Sequence, residues 1–393
     1  MDEKNQRTSY LRRTTCVKCS VTGHVVLNGK DVYCRSCFDD YCAHKFRSSF
    51  GKHKVFQPPD QRVLVAVSGG PTSLGMLVDL LQRSCGANAH KKLKVRPEIV
   101  HIVERNADLT KLGKVTWMDF LKTSDFPTHF IHIGSIFDAD SDFEPVSIDL
   151  NSEEFNFNHL PGSAHFLSLK QLLESFSSET SRLDFYRRTK TYLLVRYAKK
   201  LGIGYLMIGE TCTGLSSRIL SNTTQGRGGQ TRDDVQVLDL RWVDPTNMSN
   251  GVRIVRPLRE FQNREIAYYN HFRDLYNQID FDYENPRETA VSTPSLQSAS
   301  DDFVEDLQSR FPATVATLFA SASKLLSATS GKRAATSKDG CANNENRCRF
   351  CASVVTQEED SDFQVLEGFC YGCNLTLSDL DDVKRLPSWM IRL

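Results

Sequence analysis

Long apolar runs are missing from this chain of 393 residues, and none approaches membrane-spanning length, so no membrane segment is expected. The opening stretch, Met1-Asp2-Glu3-Lys4-Asn5-Gln6-Arg7, lacks the apolar core of a secretory signal, which argues against export. An excess of one charge is missing as well. Lys and Arg number 49 against 48 Asp and Glu, a formal net charge of +1, so any polyanion must be met by a local patch rather than by the whole surface. No internal repeat is present beyond a general likeness between two cysteine modules, which excludes a solenoid. What remains is 40% apolar and 25% charged, the composition of a globular protein, in a chain long enough for about two or three domains.

Cysteine is plentiful. Of twelve, eight form Cys-x2-Cys pairs: Cys16 with Cys19, Cys34 with Cys37, Cys348 with Cys351, and Cys370 with Cys373. A two-residue gap suits one tetrahedral ion better than a strain-free disulfide, so a reducing compartment is expected, with the cytoplasm as the location. Two such quartets predict two zinc ions. Every protein ligand would be a thiolate and no coordination position would stay open, so both sites are expected to be structural rather than catalytic. Cys42, His24 and His44 share the first module and either join its shell or pack beside it.

Between the modules the pattern is that of an α/β domain. Residues 1–57 read as an N-terminal zinc-ribbon module, left through Pro58-Pro59. Residues 58–284 predict strands at Arg62–Val67, Pro97–Val103, Thr128–Ile133 and Tyr205–Ile208. Helices are predicted around Leu109–Leu121, Leu183–Leu201 and Glu260–Gln278. Strands alternating with helices imply a Rossmann-like parallel sheet covered on both faces. Within it, 135–164 is acidic and irregular and reads as an insertion or loop, and Gly226–Gln230 is too glycine-rich for a regular element. Residues 285–340 read as a linker and helical segment, with a Ser/Thr/Pro-rich stretch to Ser300 and a helix over Asp302–Leu326 restarted at Pro312. Residues 341–393 read as the C-terminal zinc-ribbon module.

The glycine loop Ser68-Gly69-Gly70-Pro71-Thr72-Ser73 lies where the first strand hands over to a helix. Small residues there let backbone N–H groups and a helix N-terminus converge on an anion, at the end of a parallel sheet where ligands bind. It is neither a Walker loop, which ends in Gly-Lys-Ser/Thr, nor the dinucleotide fingerprint Gly-x-Gly-x-x-Gly. A simple tight turn is the plainer alternative. Basic residues gather in two places, around Lys45, Arg47 and Lys52 and around Arg187, Arg188 and Lys190, and they serve either as a polyanion surface or as solvated helix faces.

The loop resembles that of the PP-loop ATP pyrophosphatases, whose usual form is Ser-Gly-Gly-x-Asp-Ser. Phe38-x-x-Tyr41-x-x-His44-Lys45-Phe46-Arg47 with Gly51-Lys52, then Phe185-Tyr186-Arg187-Arg188 and Gly226-Arg227-Gly228, resemble the cytoplasmic tRNA 2-thiolation protein 2 family across nearly the whole chain. The resemblance implies a subunit of a heterodimeric tRNA sulfurtransferase that thiolates the wobble uridine. ATP and magnesium would adenylate the base, and sulfur would come from a thiocarboxylated ubiquitin-related modifier. The partner would be a catalytic tRNA 2-thiolation homologue, and tRNA would lie on Lys45, Arg47, Lys52, Arg187, Arg188, Lys190 and Arg227.

Departures from the family pattern argue against catalysis by this chain alone. Thr72 stands where an active loop has Asp, Pro71 replaces a frequent Lys, and Gly209-Glu210-Thr211-Cys212-Thr213 stands where active members carry Gly-His-Asn-x-Asp-Asp. Outside the zinc modules the cysteines are Cys85, Cys212 and Cys341, at no spacing for persulfide or cluster chemistry; Cys212 is a lone sulfur carrier or a small helix residue. ATP binding at Ser68, Gly69, Gly70, Thr72 and Ser73 is therefore open. Three functions remain in play: a non-catalytic tRNA-binding subunit, a self-sufficient ATP-dependent tRNA-modifying enzyme, and a zinc-ribbon interaction scaffold.

Overall fold

The computed structural model describes residues 14–27, 30–86, 92–104, 116–141, 143–147, 160–244, 246–279, 294–311, 313–322, 347–355 and 366–391. The chain opens on a hairpin of two antiparallel strands, β1 (Val25–Leu27) and β2 (Asp31–Tyr33), between the first two cysteine pairs. Helix α1 (Arg35–His53) follows, its N-terminus capped by the Cys34 side chain, which accepts from the Cys37 N–H. Lys54 in the left-handed region, φ 46°, ends the helix and turns the chain toward the sheet.

The sheet contains β3 (Gln61–Ala66), β4 (Val95–Val103), β5 (Thr128–His132), β6 (Val146–Ser147), β7 (Tyr205–Met207), β8 (Leu238–Asp239) and β9 (Arg253–Val255). Their spatial order is β6-β5-β4-β3-β7-β9-β8. The five inner strands are parallel, and the two-residue strands β6 and β8 pair antiparallel at the edges. Short edges of this kind leave little unpaired backbone to recruit another strand. The order runs outward from β3 in one direction and then from β7 in the other, so the crossover reverses between them. That is the switch point of a doubly wound sheet, where a crevice opens beyond the strand ends.

Alternation along the strands assigns the two faces. Val63 and Val65 of β3, Tyr205 and Met207 of β7 and Val255 of β9 join one core, while Leu64, Leu206 and Ile254 join the other. The first core is covered by α1, by α2 (Asp79–Cys85) with the π-helical turns Pro71–Val78 that lead into it, by α3 (Thr116–Lys122) and by α8 (Asn263–Phe272). The second is covered by α4 (Phe166–Glu174), by α5 (Glu179–Lys200) and by the C-terminal cysteine module with α10 (Tyr371–Leu377) and α11 (Ser388–Ile391). The two cysteine modules thus lie on opposite faces of one sheet. Neither is a bead on a string: Phe38, Phe46 and Phe50 of α1 are core residues of the first face, and Phe350 and Phe369 of the second. Each buried ring contributes about 2–3 kcal/mol by removal from water.

Several expectations change. Strand β9 occupies Arg253–Val255, too short a run to be read from periodicity, and it pairs with both β7 and β8. A helix begins inside the expected 285–300 linker: α9 (Leu296–Arg310) starts at Ser295, whose hydroxyl accepts from the Ser298 N–H in a capping box. It packs on α6 (Cys212–Thr224) through Val304, and residues 314–322 form a further helical stretch. Within Gly226–Gln230, expected to hold no regular element, Gly228–Gln230 forms a 3-10 turn that runs directly into the short helix α7 (Thr231–Val235). The aromatic helix expected over Glu260–Gln278 is regular only over Asn263–Phe272. Parts of the acidic segment are ordered, including Asp140, which pairs with the buried Arg196 at 3.0 Å. The part of the expected helix before Thr116, residues 323–340 of the expected linker and helical segment, and Cys341 lie outside the described residues.

Candidate functional site

The glycine loop follows β3 at the switch point, as its chemistry requires. Gly69 adopts φ +95°, open to glycine and strained for other residues, so the loop can turn back over the strand end. The loop then closes on itself. Ser73 Oγ accepts from the Ser68 N–H at 3.0 Å and lies 2.9 Å from Ser68 Oγ, and the Gly70 N–H points to Ser68 Oγ at 3.4 Å. Hydroxyls therefore engage backbone donors that an anion would otherwise meet. From below, Asn270 of α8 donates Nδ2–H to the Pro71 carbonyl at 2.8 Å, and a side chain at Gly75 would collide with Asn270. Gly209, at the end of β7, lies against Ser73: an added Cβ would come 3.3 Å from its Cα. Thr72 is half-buried and brings no charge for a magnesium ion.

Across β7 the other loop is likewise tied up in internal contacts. Thr211 caps α6, accepting from the Gly214 N–H at 3.2 Å and donating to Asn263 Oδ1 at 2.8 Å. Glu210 pairs with Arg218 and with Arg256. Burial works to raise the Glu210 carboxyl, and the two guanidinium charges outweigh it, leaving a carboxylate committed to structure. Cys212 is 3% exposed, and burial pushes its thiol up to about 11. Its burial and place on α6 suit a small helix residue.

Each cysteine quartet converges. In both, the four Sγ atoms lie within 4.8 Å of one another. Cys19 and Cys34 approach to 3.6 Å, and Cys351 and Cys370 to 3.5 Å. A tetrahedral ion with bonds of ~2.3 Å to sulfur demands sulfur separations of about 3.8 Å, so four thiolates of this spacing fit such an ion. Cys42, fully buried in the first core, is not part of the quartet, and neither is the exposed His44 or His24. The two sites differ in setting. Cys19 is exposed and Cys37 half-buried, whereas all four C-terminal cysteines are buried. Around the C-terminal quartet, Gln230 Nε2 points to Cys370 Sγ at 3.3 Å and Arg227 Nη1 to Cys373 Sγ at 3.7 Å. Those donors offset the negative charge that four thiolates bring to a dication.

The basic residues separate into two kinds. Arg227, expected on a tRNA surface, has no exposed side chain: its Nη2 donates to Asp184 at 2.6 Å, to Thr376 at 2.8 Å and to the Gly372 carbonyl. It clamps the C-terminal module to α5. Arg188 is mostly covered and pairs with Asp184 at 2.9 Å, and Lys45 is mostly covered, pairing with Glu265 at 2.8 Å with its ammonium over the Phe261 ring. Arg227 is therefore a correction, because its side chain is fully buried and its Nη2 is spent inside the fold, whereas Lys45 and Arg188 are largely committed to their carboxylates. Lys190 pairs with Glu104 at 2.8 Å but stays partly open. Lys52 is exposed, Arg47 is intermediate, and Arg187 is half-exposed with Asp301 at 3.8 Å. Arg47 and Lys52 ride on α1 and Arg187 on α5, so the two basic groups sit on opposite faces of the sheet.

Sequence reasoning missed a cleft on the α5 side of β7. Its volume is about 100 Å³, and its lining includes Arg187, Arg188, Arg218, Arg241 and Arg256 with Asp184, Glu210 and Asp234. The five arginines pair with these three carboxylates and with Asp239 and Asp301. The signal was present only as arginines scattered over four elements, which no local window gathers.

The fold and its switch-point loop define a class: an α/β domain of the PP-loop type carrying a four-cysteine module on each face. A solved U34-tRNA thiolase from Methanococcus maripaludis, determined with its 4Fe–4S cluster, shares this fold with a TM-score of 0.55 at 15% identity, over 80% of this chain and 88% of that one. The family model described as cytoplasmic tRNA 2-thiolation protein 2 matches residues 295–369. Cytoplasmic tRNA 2-thiolation protein 2-B of Xenopus laevis is 30% identical over 86% of this chain and 72% of its own length. The Danio rerio protein 2 is 25% identical over 96% of this chain and 90% of its own. The chain belongs to the cytoplasmic tRNA 2-thiolation protein 2 family. The relatives' names carry the cytoplasmic location that the cysteine usage led us to expect, and among the described residues no helix is long and apolar enough to cross a membrane.

Proposed function

We propose that this chain is the non-catalytic subunit of a cytosolic tRNA thiolase, holding tRNA and stabilising a catalytic homologue while that partner performs 2-thiolation of the wobble uridine. The observation that carries this reading is the state of the loop. It follows the first strand at the switch point of the sheet but lacks a carboxylate at Thr72, and it spends Ser68 and Ser73 on each other. Membership of a family named for tRNA 2-thiolation supports the process served. In this reading each quartet holds a structural zinc ion, ATP and magnesium act on the partner, and sulfur reaches the partner from a thiocarboxylated ubiquitin-related modifier. Arg47, Lys52, Arg187 and Lys190 are the cations free enough to meet tRNA phosphates, whose contacts position rather than specify.

The test compares this chain alone with the chain co-expressed with a candidate catalytic homologue. Expected is a stable heterodimer that thiolates tRNA, with no pyrophosphate released by the isolated chain given ATP, magnesium and tRNA. Pyrophosphate release by the isolated chain, lost in Ser73→Ala, would establish a self-sufficient enzyme instead.

A further inference from the structure

The two cysteine quartets offer the same set of four thiolates, and the fold treats them differently. The C-terminal four are buried in the second core beside Phe350 and Phe369. In the N-terminal quartet Cys16 and Cys34 are buried and Cys37 is half-buried, but Cys19 is exposed. Its neighbours Val17, Lys18, Ser20 and Val21 are exposed as well, so the whole turn that carries Cys19 stands in solvent. A small solute reaches the Cys19 sulfur directly, whereas it reaches the C-terminal sulfurs only by opening the core. Reactivity of a thiolate follows its accessibility, and thiolates that hold an ion remain nucleophiles.

A second observation supplies the sulfur that would resolve an oxidised Cys19. Cys34 Sγ lies 3.6 Å from Cys19 Sγ and comes from the other side of the β1–β2 hairpin, fifteen positions along the chain. Cys16 is the poorer partner, because a two-residue gap does not suit a strain-free disulfide. Cys34 also has a structural duty. Its sulfur caps α1 by accepting from the Cys37 N–H at 3.5 Å. From α1, Tyr41 and Lys45 reach Glu265, whose carboxylate accepts from the Gln262 N–H at the start of α8. Asn270 of the same α8 holds the Pro71 carbonyl of the glycine loop at 2.8 Å. A change at Cys34 is thus tied by named contacts to the loop.

We propose that Cys19 is a peroxide-sensitive site, and that its oxidation to a disulfide with Cys34 releases the N-terminal ion while the C-terminal quartet keeps its own. The proposal rests on the reading that each quartet holds a zinc ion. The oxidant is hydrogen peroxide. The Cys19 thiolate attacks its O–O bond, an S–O bond forms, and hydroxide leaves. The Cys34 thiolate then attacks the Cys19 sulfur, the S–S bond forms, the S–O bond breaks, and a second hydroxide leaves. The two sulfurs together lose two electrons, which the peroxide gains, and two protons from solvent turn both hydroxides into water. Disulfide sulfurs carry no charge, so only Cys16 and Cys37 remain as thiolates, too few to fill a tetrahedral shell. The α1 cap loses its anionic acceptor in the same step. Reduction by a dithiol in the presence of zinc reverses the change.

The experiment treats the full chain with hydrogen peroxide after its metal content has been measured. A zinc indicator, a thiol count, and peptide mapping without reductant follow the outcome. Expected is loss of one ion together with two thiols, a mapped Cys19–Cys34 bond, and recovery with dithiothreitol and zinc. Amides at the start of α1 should then exchange faster, while those of α10 stay protected. Cys19→His keeps four ligands for zinc but removes the exposed sulfur, so release should be about tenfold slower. Should that variant lose its ion on purification, the disulfide map of the unaltered chain carries the test. Loss of both ions at one rate, loss of neither, a disulfide without Cys19, or unchanged release from Cys19→His overturns the proposal. Fewer than two ions at the outset removes the zinc reading and the proposal together, whereas two ions without selective loss removes the proposal alone.

Discussion

Replacing Arg227 by Met discriminates a structural clamp from an RNA contact. The native guanidinium has 0% of its side chain exposed and holds Asp184, Thr376 and the Gly372 carbonyl, joining α5 to α10. Arg227→Met keeps much of the volume and removes the charge. Breaking one member of a buried pair costs about 3–5 kcal/mol, because the partner is left uncompensated. Here Asp184 keeps Arg188 at 2.9 Å and the Thr376 hydroxyl at 2.9 Å, which places the expected loss near the lower figure, about 3 kcal/mol. Unfolding entropy of ~2.1 cal/mol/K per residue over a cooperative unit of roughly 300 residues makes that a fall in Tm of about 5 °C. Because Arg227 also points at Cys373 Sγ from 3.7 Å, the C-terminal ion should be extracted faster by chelator. The assay is a thermal melt paired with chelator-release kinetics and tRNA binding by the intact complex. A variant that melts with the wild type yet loses tRNA affinity would refute this account and return Arg227 to the RNA surface.

Metal analysis should find two ions per chain, with the N-terminal ion leaving first to a chelator because Cys19 is exposed while the whole C-terminal quartet is buried. Cys348→Ser with Cys351→Ser should remove one ion and lower the melting temperature of the whole second face, since Phe350 and Phe369 share a core with Phe185; loss confined to residues 341–393 by hydrogen exchange would contradict that. Burial works to raise Asp239, and Arg241 and Arg256 outweigh it, taking the carboxyl from 3.8 to about 2, a contribution of about 2 kcal/mol. A depressed folded-state pKa stabilises above the unfolded value and is lost as pH falls through the folded one. The stability deficit of Asp239→Asn should therefore be full at pH 7 and shrink between pH 4 and about 2; a deficit independent of pH there would count against the ion pairs. Finally, Lys52→Glu should weaken tRNA binding by the complex and flatten its salt dependence without separating the subunits, and unchanged affinity would move the RNA surface away from α1.

The cysteine quartets, the parallel sheet and the glycine loop at its first strand were legible in the sequence because each is a local pattern: a fixed ligand gap, a run of apolar residues, a turn chemistry. The start of α9 was not legible, because the Ser/Thr/Pro-rich composition around Ser295 read as linker and hid the capping box that the structure shows there. Nor was strand β9, since three residues carry no period and its place is fixed by pairing with β7 and β8.

Charge was the least legible property. Lys45, Arg188 and Arg227 look in the sequence like Arg47, Lys52 and Arg187, and only packing distinguishes them. By itself the sequence determined what each segment can do: bind a soft ion, turn around an anion, forgo a magnesium carboxylate at Thr72. Tertiary structure decided which cations face solvent, because a guanidinium's availability depends on carboxylates brought from distant segments. Asp184 meets Arg227 across 43 positions and Thr376 across 192. It also decided that the two cysteine modules lie on opposite faces of one sheet, since the side of a parallel sheet on which an element lands follows from strand alternation and crossover direction, which no single segment encodes.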